Sequence, residues 1–127
     1  VKGTEVDVAV LDGRALGAIE IVPTREFYDY TAKYTPGATQ YFYPARLPEE
    51  HVRRTCEAAE QAHLALGCAG VTRTDFIVSH DGVPYILEVN TLPGMTATSL
   101  VPKIAAGNGI SFADLCERLL EGAALKA

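Results

Sequence analysis

The residues with the clearest potential for chemistry lie in two strand-like segments joined by an Asp-Gly pair at residues 81–82. Asp75 lies in the first segment, and Glu88 and Asn90 lie in the second. If the Asp-Gly pair forms a two-residue hairpin turn, Asp75 lies opposite Glu88 in the paired strands. The same register places Arg73 opposite Asn90. Because side chains alternate between the two faces of a strand, all four polar groups then project from one side.

Two carboxylates paired across strands repel each other. At an effective dielectric constant near 20 the repulsion is on the order of 3 kcal/mol, which is a large share of a domain's net stability. A cation should therefore offset it, and Arg73 supplies one positive charge. The oxygens of Asp75, Glu88 and Asn90 also suit Mg²⁺ bound together with substrate phosphates. The alternative is a solvated hairpin face whose charges meet only water.

The segment after Asn90 favours a ligand-binding interpretation of this face. A Pro-Gly turn at residues 93–94 lets the backbone approach a ligand closely. Ser99 then has the position of a helix N-cap ahead of Leu100. The N-terminus of a helix receives anions, so an anionic substrate group is expected there.

Size and composition describe an acidic globular domain. The 127 residues carry a net charge of -5 with a pI near 5.1, which argues against a general nucleic-acid or anionic-membrane surface. The three cysteines have no metal-binding spacing and are interpreted as buried free thiols. The sequence shows no leader-like segment and no long apolar run, so a cytoplasmic protein is expected. It begins at Val1 without a Met, which indicates a piece of a longer protein.

The hydrophobic patterns predict an α+β domain, with a largely antiparallel sheet in a two-layer arrangement and helices packed on one face. Alternation predicts a first hairpin, with strands at 5–11 and 15–22 around an Asp-Gly turn at 12–13. In the second hairpin, the side opposite the polar groups predicts a core face made of Phe76, Val78, Tyr85, Leu87 and Val89.

Three helices are predicted around this sheet. The longest starts at Pro48 and ends near Gly67. Its buried stripe contains His63, which is therefore interpreted as a packed structural residue rather than a catalytic one. Shorter helical patterns follow around 103–106 and after Ser111, which resembles a capping position.

A long segment from Pro23 to Pro48 has no sustained periodicity but contains several prolines and aromatic residues. Segments of this length without regular structure are uncommon in compact domains and are usually functional lids or disordered. The aromatic content argues against disorder. We therefore predict a lid at about 23–48.

Three motifs resemble the C-terminal part of the D-alanine:D-alanine ligases, members of the ATP-grasp superfamily. They are Arg73-Thr74-Asp75, the run Leu87-Glu88-Val89-Asn90-Thr91-Leu92-Pro93-Gly94-Met95-Thr96, and Ser99-Leu100-Val101-Pro102. An acidic-x-Asn motif after a strand is common to many ATP-grasp enzymes. The continuation through Pro-Gly-Met-Thr to Ser-Leu-x-Pro is characteristic of this ligase.

The resemblance implies an ATP-dependent ligase that joins two D-alanines through an acyl phosphate for peptidoglycan precursor synthesis. It implies that Asp75, Glu88 and Asn90 bind the nucleotide through Mg²⁺ or Mn²⁺, as two ions. Arg73 would stabilise the transferred phosphoryl group. Together with the Gly94 amide, Arg73 would also stabilise a tetrahedral oxyanion.

The resemblance assigns further roles to residues outside this cluster. Ser99 and the Leu100 amide would hold the carboxylate of the second D-alanine. Glu5 would accept hydrogen bonds from the ATP ribose. Within the lid, Lys33 would reach the nucleotide phosphates, and Tyr34 would join a network over the second substrate that favours a D-amino acid.

The likeness covers nearly the whole chain but only part of a complete ligase. The chain is therefore expected to be the C-terminal ATP-binding subdomain, 1–127, which needs the N-terminal and central domains and is inactive alone. A homodimer is expected, with no nucleic-acid or membrane partner. Two alternatives stay open: an ATP-grasp ligase that makes a D-Ala-D-lactate or D-Ala-D-Ser product, and a non-catalytic Mg-nucleotide-binding module.

Overall fold

An antiparallel sheet forms the centre of the computed structural model, which describes residues 3–23, 39–68, 70–91 and 99–126. Its five strands lie in the order β3-β2-β1-β4-β5, and every neighbouring pair is antiparallel. The strands are β1 Gly3–Leu11, β2 Arg14–Pro23, β3 Thr39–Phe42, β4 Val71–Ser79 and β5 Pro84–Asn90. In the described ranges the helices are α1 Glu49–Ala65, α2 Leu100–Gly107 and α3 Phe112–Lys126. The predicted α+β fold class is confirmed.

The hairpin of β1 and β2 has the predicted two-residue turn. Asp12 and Gly13 have φ values of 52° and 86°, and positive φ at both positions suits the right-handed twist of paired strands. Glycine adopts this conformation without steric cost, and aspartate tolerates it better than most residues. The Asp-Gly pair therefore determines this turn locally.

The hairpin of β4 and β5 has the predicted pairing at its polar end but a different turn. Asp75 lies opposite Glu88, as expected, whereas Val78 lies opposite Pro84 because the register shifts just after Asp75. The connection runs through residues 79–83, where Ser79 O accepts a hydrogen bond from Gly82 N at 2.9 Å. The longer loop and the bulge in β5 each change the register by one residue, so they cancel at Asp75.

Helices cover the two faces of the sheet at different places. Alternate residues Val6 and Val8 of β1 lie on the face covered by α1, where they are fully buried together with Phe76. This is the single helical layer that the sequence predicts. On the opposite face, Ala9 packs with Val101 of α2, so α2 and α3 add a second layer over one end of the sheet.

The predicted core face of β5 is wrong for two residues. Phe76 and Val78 of β4 are buried as expected, but Tyr85 is 44% exposed and Leu87 is 61% exposed. Strand β5 lies at the edge of the sheet, so its side chains meet fewer neighbours than those of a central strand. The bulge also moves Leu87 out of the alternation on which the prediction depended.

The end of the predicted lid belongs to the scaffold instead. Residues 39–42 form β3, which pairs with β2, and the following segment is tied to the same strand. The Tyr43 hydroxyl donates to Leu16 O at 3.1 Å, and Arg46 pairs with Glu20 through Nε at 3.0 Å. A strand of four residues is too short to give a recognisable alternation among prolines. The rest of the lid prediction, 24–38, lies outside the described residues.

The sequence interpretation of His63 is confirmed, and that of the cysteines is confirmed in part. His63 is 3% exposed, and its Nδ1 forms a 2.8 Å hydrogen bond with Thr72 Oγ1, so it is a structural residue between α1 and β4. The three cysteines are free thiols as predicted, but each is only partly buried, so the prediction that they are buried is wrong. Burial raises the pKa of the Cys56 thiol to about 11, which keeps it protonated and unreactive at neutral pH. None of the helices in the described ranges is long and apolar enough to cross a membrane.

Candidate active site

Three carboxylates lie side by side across the strands β1, β4 and β5. Asp7 lies directly opposite Asp75, and Asp75 lies directly opposite Glu88. Because cross-strand partners project from the same face, the three acids form a row across the sheet, which we call the acidic row. Alternation also puts Glu5, two residues before Asp7, on this face.

Arg73 supplies positive charge to the acidic row. Its Nε donates a 3.0 Å hydrogen bond to Asp75 Oδ1 and lies 3.6 Å from Asp7 Oδ2. The Asp7 side chain is only 4% exposed, whereas the side chains of Asp75 and Arg73 are 20% and 21% exposed. Arg73 thus contacts the buried carboxylate of Asp7, and part of its own side chain remains exposed to a ligand bound over the sheet.

Asp7 has a strongly raised pKa in the acidic row. Burial, followed by the negative charge of Asp75, raises the pKa of the Asp7 carboxyl from 3.8 to about 7. A hydrogen bond shared with Asp75 and the charge of Glu5 act in the same direction, and Arg73 opposes them. Near neutral pH, Asp7 is therefore poised between its protonated and ionised forms.

Asp7 is a site residue that was not predicted from the sequence. Its position in β1 is readable from alternation, because it follows Glu5 by two residues. Its partner is not readable, since the pairing of β1 with β4 joins segments that are far apart in sequence. That an acid faces Asp75 could be known only once the order of the strands in the sheet was known.

The predicted metal ligands occupy neighbouring positions on this face. Glu88 lies opposite Asp75, and Asn90 lies opposite Arg73 two residues along β5. Within the described part of the chain, no three His, Cys, Asp or Glu side chains converge as a metal-binding group. The predicted ligands, Asp75, Glu88 and Asn90, are not such a group, because they are two carboxylates and one amide. Its oxygen donors fit Mg²⁺, which keeps several waters and also takes substrate phosphate oxygens.

Helix α2 begins on the same face of the sheet. Ser99 is its N-cap, with φ -73° and ψ 160°, and its carbonyl accepts a 3.3 Å hydrogen bond from Lys103 N. The Ser99 side chain makes no capping hydrogen bond. The first backbone N–H groups of a helix have no partner within the helix, so the end at Leu100 can receive an anion.

Comparison with known proteins assigns this arrangement to a family. The family described as "D-ala D-ala ligase C-terminus" matches residues 1–121. The chain belongs to this ligase C-terminal family. The resemblance seen in the sequence motifs is thereby confirmed.

Individual relatives of the ligase family agree with the assignment. The chain is 80% identical over 127 residues to the D-alanine–D-alanine ligase of Anaeromyxobacter sp. (strain K), covering all of this chain and 41% of that relative. The corresponding ligase of Geotalea uraniireducens (strain Rf4) is 60% identical, with 99% of this chain and 41% of the relative covered. The chain thus spans about two-fifths of the length of these relatives.

Solved structures of the ligase family share the fold. The D-alanine–D-alanine ligase from Bacillus anthracis complexed with ATP has a TM-score of 0.80 at 40% identity, covering 96% of this chain and 40% of that one. The VanG D-Ala:D-Ser ligase from Enterococcus faecalis also has a TM-score of 0.80, at 36% identity, covering 95% and 36% of the two chains. The second of these names shows that the shared fold does not by itself determine the second substrate.

The remaining predicted ligase residues fall into two groups. Glu5 lies in β1 and is partly buried. Lys33 and Tyr34 of the predicted lid, and Gly94 of the loop after β5, lie outside the described residues. Their assigned roles stay predictions.

Proposed function

We propose that the intact protein is an ATP-dependent D-alanine:D-alanine ligase and that this chain supplies its nucleotide- and metal-binding C-terminal part. The observation that carries the proposal is the acidic row with Arg73 in contact with Asp75. The reaction transfers the γ-phosphoryl group of ATP to the carboxylate of a first D-alanine. The amine of a second D-alanine then attacks the acyl phosphate and releases inorganic phosphate.

Asp75, Glu88 and Asn90 would hold Mg²⁺ or Mn²⁺, with two ions expected. When bound, the metal would neutralise charge on the β- and γ-phosphates during transfer. The cross-strand repulsion between Asp75 and Glu88 supports this proposal, because a shared cation turns an unfavourable pair into a binding site. Glu5 would accept hydrogen bonds from the ribose on the same face.

Arg73 would act on the transferred phosphoryl group. A guanidinium has several donors in a fixed planar arrangement, which matches phosphate oxygens well. The contacts of Arg73 with Asp7 and Asp75 pre-organise it, so little reorganisation is needed as negative charge develops. With the Gly94 amide, Arg73 would also stabilise the tetrahedral oxyanion formed when the second substrate attacks.

The start of helix α2 would bind the second D-alanine. Ser99 and the Leu100 amide would hold the substrate carboxylate, which leaves the amine to be directed at the acyl phosphate. Lys33 and Tyr34 would close over the site and exclude water from the acyl phosphate.

The experiment is a substrate comparison with the intact protein, which is proposed to act as a cytoplasmic homodimer. ADP release and product formation are measured with ATP, D-alanine and one of three second substrates: D-alanine, D-serine or D-lactate. We expect D-alanine to give the highest rate and the 127-residue chain alone to give no dipeptide. Preference for D-serine would favour the activity named for the Enterococcus faecalis structure. ADP release independent of D-alanine would contradict the proposed ligase.

A further inference from the structure

Asp7 is the buried member of the acidic row, which lies on the face of the sheet that we call the acidic face. The proposed mechanism assigns Asp7 no direct contact with substrate. Its side chain is 4% exposed, compared with 20% for Asp75. A buried carboxylate is costly unless a cation or hydrogen-bond donors compensate it. Within the described residues, its ion pair is with Arg73, whose Nε lies 3.6 Å from Asp7 Oδ2.

Stability does not explain an acid at this position. Asp7 faces Asp75 across the β1–β4 pair, and like charges placed in this way are destabilising. Its other cross-strand partner is the buried Ile19, so an apolar side chain would fit the surroundings. Replacing buried ionic groups by apolar residues of similar volume is often neutral or stabilising. We therefore infer that the carboxylate of Asp7 has a role other than packing.

The two carboxylates that contact Arg73 have different surroundings. Asp75 lies next to Glu88, and under the proposed function it also holds the metal. A carboxylate that coordinates a metal has less charge available for a neighbouring guanidinium. Asp7 lies one strand further from Glu88, so a metal held by Asp75 and Glu88 would leave the Asp7 carboxylate to Arg73.

We propose that Asp7 is a positioning residue that fixes Arg73 Nε, so that the terminal guanidinium nitrogens face the transferred phosphoryl group while Asp75 serves the metal. Because the guanidinium is planar and rigid, an anchor at Nε sets the direction of its two terminal nitrogens. The identity of the anion rests on the proposed function. The contact between Asp7 and Arg73 does not, and it can be measured without turnover.

The first measurement is proton exchange at Arg73 Nε–H, followed by NMR on the ¹⁵N-labelled intact protein with and without Mg²⁺ and ADP. An Arg73→Lys variant assigns the resonance. Arg73 Nε–H donates to Asp75 in this structure, and we expect it to stay protected when Mg-ADP is added, because Asp7 accepts the hydrogen bond once Asp75 serves the metal. In Asp7→Asn we expect that protection to be lost on adding Mg-ADP. The matched control is Asp12→Asn, the same change at an exposed turn position of the same hairpin, which should behave as wild type.

The second measurement separates positioning from general damage. We expect Asp7→Asn to lower kcat by about tenfold while the KM for ATP changes by less than about twofold. A purely structural role would not produce this separation. Asp12→Asn should leave both constants at their wild-type values.

The outcomes are distinguishable from failure of the proposed function. Equal Nε–H protection in Asp7→Asn and wild type, or loss of protection in wild type on adding Mg-ADP, would overturn the proposal. If Asp7→Asn does not fold, Asp75→Ala decides the question, because it removes the other carboxylate that contacts Arg73. Protected Nε–H in Asp75→Ala would support the Asp7 anchor, and its loss would overturn the proposal. If the intact protein makes no dipeptide but keeps Asp7-dependent protection, the phosphoryl-transfer role is wrong and the Asp7–Arg73 contact is confirmed.

Discussion

Strands β1 and β4 have an apolar face and an acidic face, and the two faces have different roles. On one face, Val6, Val8 and Phe76 are fully buried beneath α1, and their burial stabilises the fold in proportion to the apolar area removed from water. On the other face, Asp7 and Asp75 bring like charges together in a partly buried place. Burial of the apolar face therefore offsets the repulsion between the carboxylates on the opposite face. That repulsion leaves the carboxylates able to bind a cationic ligand.

The largest expected effect comes from removing packing on the apolar face. Phe76→Ala should lower the free energy of unfolding by about 3–5 kcal/mol, because it leaves a cavity where a fully buried aromatic side chain was packed. Urea unfolding of wild type and variant measures the loss. A decrease below about 1 kcal/mol would show that α1 and the sheet do not pack tightly here.

A change on the acidic face should affect activity rather than stability. Glu88→Gln in the intact protein keeps the shape but removes one charge of the proposed metal site. We expect the ligation rate to fall by about 100-fold or more, with thermal stability unchanged or slightly raised because the repulsion with Asp75 is gone. Dipeptide formation and thermal unfolding are measured on the same preparations.

The matched control for Glu88→Gln is Glu57→Gln, an exposed acid on α1. It makes the same chemical change on the helix that covers the apolar face. Equal activity losses in the two variants would remove the distinction between the faces.

A smaller effect is expected at Ser99, where a helix cap and a substrate ligand can be told apart. Ser99→Ala should raise the KM for the second D-alanine by about tenfold, because the proposed function assigns the Ser99 hydroxyl to the substrate carboxylate. Steady-state kinetics with varied D-alanine measures this change.

Ser111 provides the control for Ser99. Its Oγ accepts a 3.1 Å hydrogen bond from Asp114 N at the start of α3. Ser111→Ala should therefore lose about 1 kcal/mol of stability and keep the wild-type KM. The reverse pattern would make Ser99 a structural cap.

The smallest effect is a pH dependence with opposite signs for the two faces. Burial lowers the pKa of His63 from 6.5, although Asp12 opposes this. The unfolded chain then binds more protons in the acidic range, so stability is lost as the pH falls below about 6.5. For Asp7 the raised pKa of about 7 works in the other direction, and stability is lost as the pH rises toward 7.

The His63→Gln variant isolates the dependence of the apolar face. We expect wild type to lose stability relative to this variant as the pH is lowered from about 7.5 to 5. Thermal unfolding at a series of pH values measures the difference, with the exposed His80 changed to Gln as the control. A difference that grows toward high pH would contradict the assigned cause.

Local signals in the sequence predicted local structure well. The Asp12-Gly13 turn followed from residues that tolerate positive φ. The stripe position of His63 identified it as a packed residue. The pairing of Asp75 with Glu88 was correct although the turn assumed for it was wrong, because the bulge in β5 restored the register.

Features that depend on distant parts of the chain were not predictable in the same way. Asp7 became part of the site only through the pairing of β1 with β4. Leu87 was predicted to be buried because its strand alternates, but an edge strand with a bulge leaves it exposed. Strand β3 was hidden in a proline-rich segment and is explained by its pairing with β2. Each case depends on which strands become neighbours, and that order is set by the whole fold.

Metal-dependent nucleotide binding tests the role of the acidic row most directly. Calorimetric titration of ADP into the intact protein, with and without Mn²⁺, compares wild type with Asp75→Asn, Glu88→Gln and the control Glu57→Gln. We expect Mn²⁺ to strengthen ADP binding in wild type and in Glu57→Gln, and this gain to fall by at least about tenfold in the two acidic-row variants. An equal gain in all four proteins would contradict a metal-nucleotide site at Asp75 and Glu88.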